Sequence, residues 1–458
     1  MEKEEISLIL EAQKKYFASG ETFDPSFRVE TLKKLRSLLI SHEKEIAEAM
    51  WKDFHKPGFE VVGTESGVVI SEMSFLIRNL KKWSKPKRVQ SLLINFPASS
   101  YIKPVPYGQV LVLSPWNFPI QLSFLPLAGA LAAGNCVVLK TSKQVPATSA
   151  VIKEILGNFP QELIAYVDGD HSVNDFLLDQ KFDYIFFTGS PNMGKKVMKS
   201  ASAHLTPVSL ELGGKNPCVV TKDAKLDFAA KRIAWGKYLN CGQVCTAPDY
   251  LLIDKSVAGK FFELITAEIK EFFGSDPQQS TDFARIINSK GVQRLSLLMK
   301  NGEIVTGGET DAEAGYVAPT VIRNITPDDP IMQEEIFGPI LPVIVFSDIS
   351  EVYGIIELNP APLATYIFSE NRKLVNEFVT RVRSGTVAVN DVVMQMASHH
   401  LPFGGIGTSG MGSYHGKKSF ETFSHMKSVL VKSNLIDIPL RYPPYRKLKT
   451  DFLRWLMR

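Results

Sequence analysis

A carboxylate and a thiol bracket the thirty-five residues from Glu211 to Cys245. One end reads Leu210-Glu211-Leu212-Gly213-Gly214-Lys215-Asn216-Pro217, the other Asn240-Cys241-Gly242-Gln243-Val244-Cys245-Thr246. A thiol nucleophile needs a nearby base or a positive field to act at neutral pH. A carboxylate that activates water is the natural partner for hydrolysing whatever the thiol captures. Residue chemistry alone leaves a second reading open. Single cysteines in soluble chains are mostly buried small hydrophobes, and most glutamates are solvated.

The elements that must position these groups can be read around them. The chain has 458 residues, enough for two or three domains, and its 45% hydrophobic content suits a large core. A net charge of +4, from 52 basic and 48 acidic residues, is too mild to argue for a nucleic-acid partner. Four cysteines (Cys136, Cys218, Cys241 and Cys245) make no disulfide framework and suit a reducing compartment, which points to the cytoplasm. The start, Met1-Glu2-Lys3-Glu4-Glu5, lacks the pattern of a secretory signal. From Pro104 to Leu139 no residue is charged, but Pro115, Pro119 and Pro126 interrupt the run. A strand, a turn and a buried helix fit it better than a membrane span.

Apolar spacing predicts helices over residues 4–19, with Gly20 as the stop, over 27–54 with a break at Ser41, and over 65–83. The run Lys85-Pro86-Lys87-Arg88 reads as a solvated linker and residues 90–106 as extended, Leu92, Leu93 and Ile94 included. Strands then alternate with helices. Gln109–Leu113 is a buried parallel strand, Leu122–Ala133 a buried helix, and Gly134–Lys140 a turn and strand. Further helices are predicted over 147–158 and 227–239, a short helical turn over 175–178, and strands over 163–167 and 182–187. The pattern is that of a doubly wound α/β region. Thr188-Gly189-Ser190-Pro191-Asn192-Met193-Gly194 is a strand-to-helix turn whose backbone donors attract phosphate, although the usual Gly-x-Gly-x-x-Gly is absent. Asn117, in Ser114-Pro115-Trp116-Asn117-Phe118-Pro119, reads either as a turn former or as a fixed donor for an oxyanion. Cys241 and Cys245 lack the two further ligands a metal would need, so no metal site is expected. His399, His400, His415 and His425 read as structural or surface residues.

Glu211-Leu212-Gly213-Gly214-Lys215 followed by Gly242-Gln243-Val244-Cys245 resembles the aldehyde dehydrogenase superfamily. The string from Trp235 to Tyr250, and Ser419-Phe420-Glu421-Thr422-Phe423, resemble its class 3 branch. The resemblance implies an α/β fold of aldehyde dehydrogenase type: a doubly wound, Rossmann-like cofactor domain, an α/β catalytic domain and a small β bridging element. The divisions expected are residues 1–208 for NAD(P) binding, with a bridging segment at about 84–106, then 209–400 for catalysis, and 401–458 for a Gly-rich loop and an oligomerisation segment. It implies Cys245 as nucleophile, Glu211 as general base, and Asn117 with the Cys245 N–H as the oxyanion donors. The cofactor contacts it implies are Ser114, Lys140, Gly189, Ser190, Gly194, Leu212, Glu335 and Phe337. Gly189-Ser190 to Gly194 matches the family form Gly-Ser-x-x-x-Gly, and Glu335 and Phe337 belong to Gln333-Glu334-Glu335-Ile336-Phe337-Gly338-Pro339.

One position departs from the pattern. Where the family has Lys-Pro-Ser-Glu, this chain has Lys140-Thr141-Ser142-Lys143. An acid there favours the free 2′-hydroxyl of NAD, whereas a cation attracts a 2′-phosphate. Acceptance of NADP is therefore expected beside NAD. The reading is an NAD(P)-dependent oxidation of a medium or long aliphatic, or aromatic, aldehyde to its acid, by a homodimer without a membrane span. The alternatives are an enzyme that passes the thioester to coenzyme A, and a non-catalytic binding or structural protein on the same fold. The tail, with Arg441, Arg446, Lys447, Lys449, Arg454 and Arg458 beside Phe452, Leu453, Trp455, Leu456 and Met457, is expected at a subunit interface, with contact to acidic lipid as the second reading.

Overall fold

The computed structural model describes residues 1–457; Arg458 lies outside the described residues. In chain order the strands are β1 (Lys87–Val89), β2 (Ala98–Pro106), β3 (Gln109–Leu113), β4 (Cys136–Lys140), β5 (Ile164–Tyr166), β6 (Tyr184–Gly189), β7 (Val208–Leu212), β8 (Pro217–Val220), β9 (Tyr250–Asp254), β10 (Glu303–Thr306), β11 (Thr310–Asp311), β12 (Tyr316–Val317), β13 (Thr320–Arg323), β14 (Ile340–Phe346), β15 (Ala364–Phe368), β16 (Thr386–Val389), β17 (Gly410–Met411) and β18 (Ser424–Lys432).

A six-stranded sheet has the order β17-β7-β6-β3-β4-β5, parallel throughout except for β17 at its edge. The chain enters at β3 in the middle, winds outward through β4 and β5, and returns to β6 and β7 on the other side. Reversal of winding opens a crevice beyond the carboxyl ends of the strands. Every residue of β3, of β4 and of the helix Gln121–Ala133 is buried, as a parallel sheet covered on both faces requires. A seven-stranded sheet follows in the order β10-β13-β14-β9-β8-β15-β16, with only the β10–β13 pair antiparallel. The third sheet, β1-β2-β18, is antiparallel, and β2 and β18 stay in register from Ser424↔Pro106 to Lys432↔Ala98. β7 runs through Leu212 and β17 returns to its edge, so the first sheet takes residues from all three segments drawn from the sequence.

Three local expectations are corrected. Lys87–Val89 is not linker: its backbone pairs with β2 while its side chains stay exposed. Leu93–Asn95 is a single 3-10 turn rather than extended chain, closed by the Asn95 and Phe96 N–H groups donating to Leu92 and Leu93 carbonyls. Lys432 Nζ covers the carbonyls that turn leaves open, at 3.1 Å from Asn95 O and 2.6 Å from Phe96 O. The turn placed at 175–178 extends to His171–Asp179, because the Asp170 carboxylate accepts from Ser172 N–H at 2.9 Å and caps it.

The helix read from Glu65 begins as a π-helical turn, Val62–Ser66, before the α-helix Gly67–Trp83. That wider turn holds Glu65 wholly inside the protein. One carboxylate oxygen meets Lys56 Nζ at 2.7 Å. The other accepts from Ile120 N–H at 3.1 Å and Gln121 N–H at 2.8 Å, the open start of the buried helix. Lys56 Nζ also lies 3.8 Å from the centre of the Phe118 ring. Breaking a buried pair by removing one partner costs about 3–5 kcal/mol. Lys56→Met is therefore expected to lower stability in urea unfolding by roughly that amount, and Lys56→Met/Glu65→Gln by less than Lys56→Met alone. A Lys56→Met variant as stable as wild type would remove the pair from this role.

Candidate active site

Two loops and one strand end meet between the two large sheets. The helix Leu226–Tyr238 leads into the turn Leu239–Gly242, where Asn240 (φ 50°) and Cys241 (φ 54°) are left-handed. Non-glycine residues in that region are strained and persist only where surroundings over-determine them. Here they do. Asn240 N–H donates to Glu60 Oε2 at 3.0 Å, and its side-chain amide to Asn117 O at 2.9 Å. Gln243 Nε2 donates to Asn240 O at 3.0 Å and Arg285 O at 2.9 Å, while its Oε1 accepts from Ile287 N–H at 3.0 Å. Gly242 (φ 72°) has no room for a side chain: a Cβ would stand 2.3 Å from the Gly338 carbonyl oxygen. On the far side of Cys245, Asn216 Nδ2 donates to Cys245 O at 2.8 Å and Ala247 O at 3.0 Å, and the Tyr366 hydroxyl donates to Thr246 O.

Asn117 is buried, and its amide donates to Gln243 O at 3.0 Å, two residues before Cys245. The amide carries two N–H bonds and this contact uses one. Cys136, Cys218 and Cys241 are buried; Cys245 is half-exposed. Glu211 stands on β7, beside Thr188 of β6 and Gly410 of β17. It is only 3% exposed, and neither carboxylate oxygen has a hydrogen-bond partner.

These surroundings set the proton affinities. Burial raises the Glu211 carboxyl well above the usual range. Burial, reinforced by the charges of Glu335 and Glu211, pushes the Cys245 thiol up to about 12, against the pull of the Cys245 and Thr246 N–H groups. Burial and the charge of Asp249 raise Glu335 to about 8, while the Gly214 N–H, Lys215 and Arg294 oppose the shift. A thiol in such a field is protonated at rest. A carboxylate made more basic by burial is suited to removing a proton.

Seven of the nine residues expected to hold cofactor divide between two clefts, and Gly194 and Phe337 line neither. Ser114, Lys140, Lys143, Gly189 and Ser190 line one of about 310 Å³ at the carboxyl ends of β3, β4 and β6. Lys140 is buried and its pKa lowered, chiefly by desolvation; Lys143 is exposed. Ser114 Oγ is shared with Ser123 Oγ at 2.7 Å, and Ser190 caps the helix Pro191–Ser202. Leu212 and Glu335 line a second cleft of about 710 Å³. Gly194 is a packing residue here: a Cβ would come within 2.7 Å of the Leu212 side chain. The Glu335 carboxylate lies against Gly213, where a Cβ would be 2.1 Å from it. Phe337 (φ 48°) meets the Trp116 ring edge-on, with centroids 5.6 Å apart. Backbone amides at a helix start, a lysine at the end of β4 and a glycine-lined floor fit a dinucleotide phosphate and ribose.

Several supporting residues were not singled out in the sequence. Lys215 Nζ meets Asp249 at 2.5 Å and the Ile331 and Glu334 carbonyls at 2.9 Å, and Asp249 also accepts from Ile336 N–H at 2.9 Å. Together they pin the loop that carries Glu335. Asp170 and His171 enter the first cleft beside Lys143, and Asn240 and Asn216 hold the loop of Cys245. Asparagine tolerates left-handed backbone, a local signal that Asn240 offered. Two of the four histidines are held by neighbours: His399 Nδ1 lies 2.7 Å from Glu72 and its ring stacks on Phe75, while His415 is buried against Phe403. Among the described residues no group of three or more His, Cys, Asp or Glu side chains could hold a metal ion, and no helix is long and apolar enough to cross a membrane.

The chain belongs to the aldehyde dehydrogenase family, whose profile matches residues 1–429. It is an aldehyde-oxidising enzyme of that family, and family 3 members are among its relatives. It is 42% identical over 436 residues to 4,4'-diaponeurosporen-aldehyde dehydrogenase of Staphylococcus aureus, covering 94% of this chain and 95% of that one. It is 41% identical to the dimeric NADP-preferring aldehyde dehydrogenase of Canis lupus familiaris, covering 96% and 98%. The substrate-bound structure of Staphylococcus aureus AldH superposes with a TM-score of 0.97 at 40% identity, covering 99% of both chains.

The buried charge of Glu211 has a consequence for stability. A carboxyl whose folded pKa is raised favours the fold when protonated. That contribution is complete below the unfolded value, about 4.3, and is lost as pH rises through the folded value. Glu211→Gln is therefore expected to melt higher than wild type at alkaline pH, with the gap closing toward acid pH. A variant less stable than wild type at every pH would mean that the charge is compensated.

Proposed function

We propose that the enzyme oxidises medium or long aliphatic, or aromatic, aldehydes to carboxylic acids, with Cys245 as nucleophile, Glu211 as base and Asn117 with the Cys245 N–H as oxyanion donors. The observation that carries this reading is the contact of the Asn117 amide with the loop of the one half-exposed cysteine, at 3.0 Å from Gln243 O. The Cys245 thiol loses its proton to solvent and its sulfur bonds to the aldehyde carbon. The carbonyl oxygen becomes an oxyanion facing the Asn117 amide. A bound nicotinamide would supply the acceptor for the hydride of this carbon, which leaves a thioester on Cys245. Glu211 then takes a proton from water, whose oxygen bonds to the thioester carbon. The carbon–sulfur bond breaks, the acid departs and the thiolate is restored. Fixed donors aimed at the developing oxyanion contribute on the order of 3–4 kcal/mol of barrier lowering.

An apolar passage of about 140 Å³ supports the substrate class. Phe59, Phe118, Trp235, Leu239, Val244 and Met396 are among its walls, next in sequence to Asn117 and Cys245 at two points. For the cofactor, Ser114, Lys140, Gly189, Ser190, Gly194, Leu212, Glu335 and Phe337 carry the roles the family resemblance gives them. Lys143 adds a cation to a cleft that Asp170 makes partly acidic. We infer use of both NAD and NADP, and a homodimer, for which the β1-β2-β18 sheet offers an edge with Leu430 and Val431 exposed.

Reduced-nicotinamide absorbance with an aliphatic and an aromatic aldehyde, each with NAD and with NADP, tests the reading. Wild type is expected to turn over and to release acid without coenzyme A, and Cys245→Ala to be inactive. Acid formation that depends on coenzyme A, or an active Cys245→Ala, would overturn it. In the same assay Lys143→Glu is expected to lower the NADP/NAD ratio of kcat/KM by roughly tenfold or more; an unchanged ratio would remove Lys143 from the specificity.

A further inference from the structure

Among the buried polar side chains with unpartnered atoms, which include Asn240 Oδ1 and His415 Nε2, are the Glu211 carboxylate, the Thr188 hydroxyl and the Tyr414 hydroxyl. Native interiors leave few such groups, and one unsatisfied in isolation is unfavourable by about 1–3 kcal/mol. Strand register shows why Tyr414 belongs with the other two. β6 and β7 pair Phe186 with Ser209 and Thr188 with Glu211. Side chains alternate along a strand, so Tyr184, Phe186, Thr188, Ser209 and Glu211 share one face of the sheet. The Tyr184 hydroxyl meets Ser209 Oγ at 2.7 Å on that face. The segment that leads to Tyr414 crosses the same face: a Cβ on Gly412 would lie 2.4 Å from Ser209 Oγ. The Tyr414 ring then packs edge-on against Phe186, with centroids 5.1 Å apart. Cys245 packs on the same buried cluster that contains Tyr414, Phe186 and Phe403.

We propose that Tyr414 is the positioning residue of the Glu211 base: its hydroxyl, directly or through one water, donates the hydrogen bond that aims the carboxylate at the Cys245 thioester. The proposal rests on Glu211 as base in the proposed function. Carboxylates are acceptors only, and a phenol is a donor that costs no ion to bury. No cation is needed to orient the base, and the basicity that burial confers on it is reduced only by one hydrogen bond. The titratable groups around this pair are Cys245, Tyr184, Glu72 and His415; burial first, and then any negative charge on Glu211, Cys245 or Glu72, holds the Tyr414 phenol protonated. Tyr414 is therefore a donor throughout the working pH range.

The test uses an activated ester, p-nitrophenyl acetate, which acylates the thiol and reports the burst and the steady state without nicotinamide. Tyr414→Phe keeps the ring and removes only the hydroxyl. It is expected to keep the burst amplitude and to lower the steady-state rate on the order of tenfold or more. Its acid limb in the pH profile should move to higher pH, because a donor that favoured the charged carboxylate is gone. Phe186→Leu, which disturbs the ring packing but leaves the hydroxyl, should keep the acid limb of wild type, and melting curves confirm that each variant is folded. If Glu211→Gln abolishes steady-state turnover while Tyr414→Phe matches wild type in rate and acid limb, the inference fails and the base assignment stands. If Glu211→Gln turns over normally, the base assignment fails and takes the inference with it. Loss of the burst in folded Tyr414→Phe also overturns the inference, because the hydroxyl would then act on acylation.

Discussion

Glu65 and Lys56 are both completely buried and 2.7 Å apart, an arrangement that desolvation alone would forbid. What offsets the penalty is the use made of the second carboxylate oxygen, which closes the open amides of Ile120 and Gln121. The charge thus faces a cation on one side and the positive end of a fully buried helix on the other. Much of the site follows from this. The helix start fixes the turn that carries Asn117, and the Lys56 ammonium sits over the ring of Phe118, the next residue. Five residues before Glu65, Glu60 accepts from Asn240 N–H and holds the left-handed approach to the cysteine. A single segment, residues 56–65, therefore bears on both the turn of Asn117 and the loop of Cys245.

The charge pattern of the centre is unusual for thiol chemistry. The groups that act most strongly on Cys245 are carboxylates, and the cations Lys215 and Arg294 are engaged with Asp249 and with the loop carrying Glu335. The resting thiol is consequently held in its unreactive form. Activation must come either from proton removal by a base of comparable affinity or from positive charge brought in by a bound molecule. The second requires nothing of this chain except that it leave a path to the sulfur.

Local order was legible in the sequence to the extent that local forces determine it. The helix Gln121–Ala133 is buried along its whole length, β3 is mostly branched residues, and Gly20 adopts φ 80° at the end of the first helix. The strings around Asn117, Glu211 and Cys245 named those residues through a family resemblance, which spacing alone could not have done. The misread pieces owe their form to distant partners. Lys87–Val89 is a strand because β2 lies beside it, and Leu93–Asn95 turns where Lys432 can cover its carbonyls. Asn216 anchors residues twenty-nine and thirty-one positions away, and Lys215 reaches Asp249 thirty-four positions on. The division of the cofactor residues between two clefts was likewise hidden, since it depends on how β7 and the helix Pro191–Ser202 pack through Gly194 and Leu212.

Gly242 and Gly338 touch so closely that no methyl group fits between them. One belongs to the loop of Cys245 and the other follows Phe337 directly. Where two backbones are in contact without intervening side chains, there is no soft material to absorb a relative displacement. The pair behaves like a bearing without play. A shift of the Glu335–Phe337 loop would press directly on the sulfur's loop. The tolerance of the chemistry to motion is thereby set by a contact that contains no reactive atom.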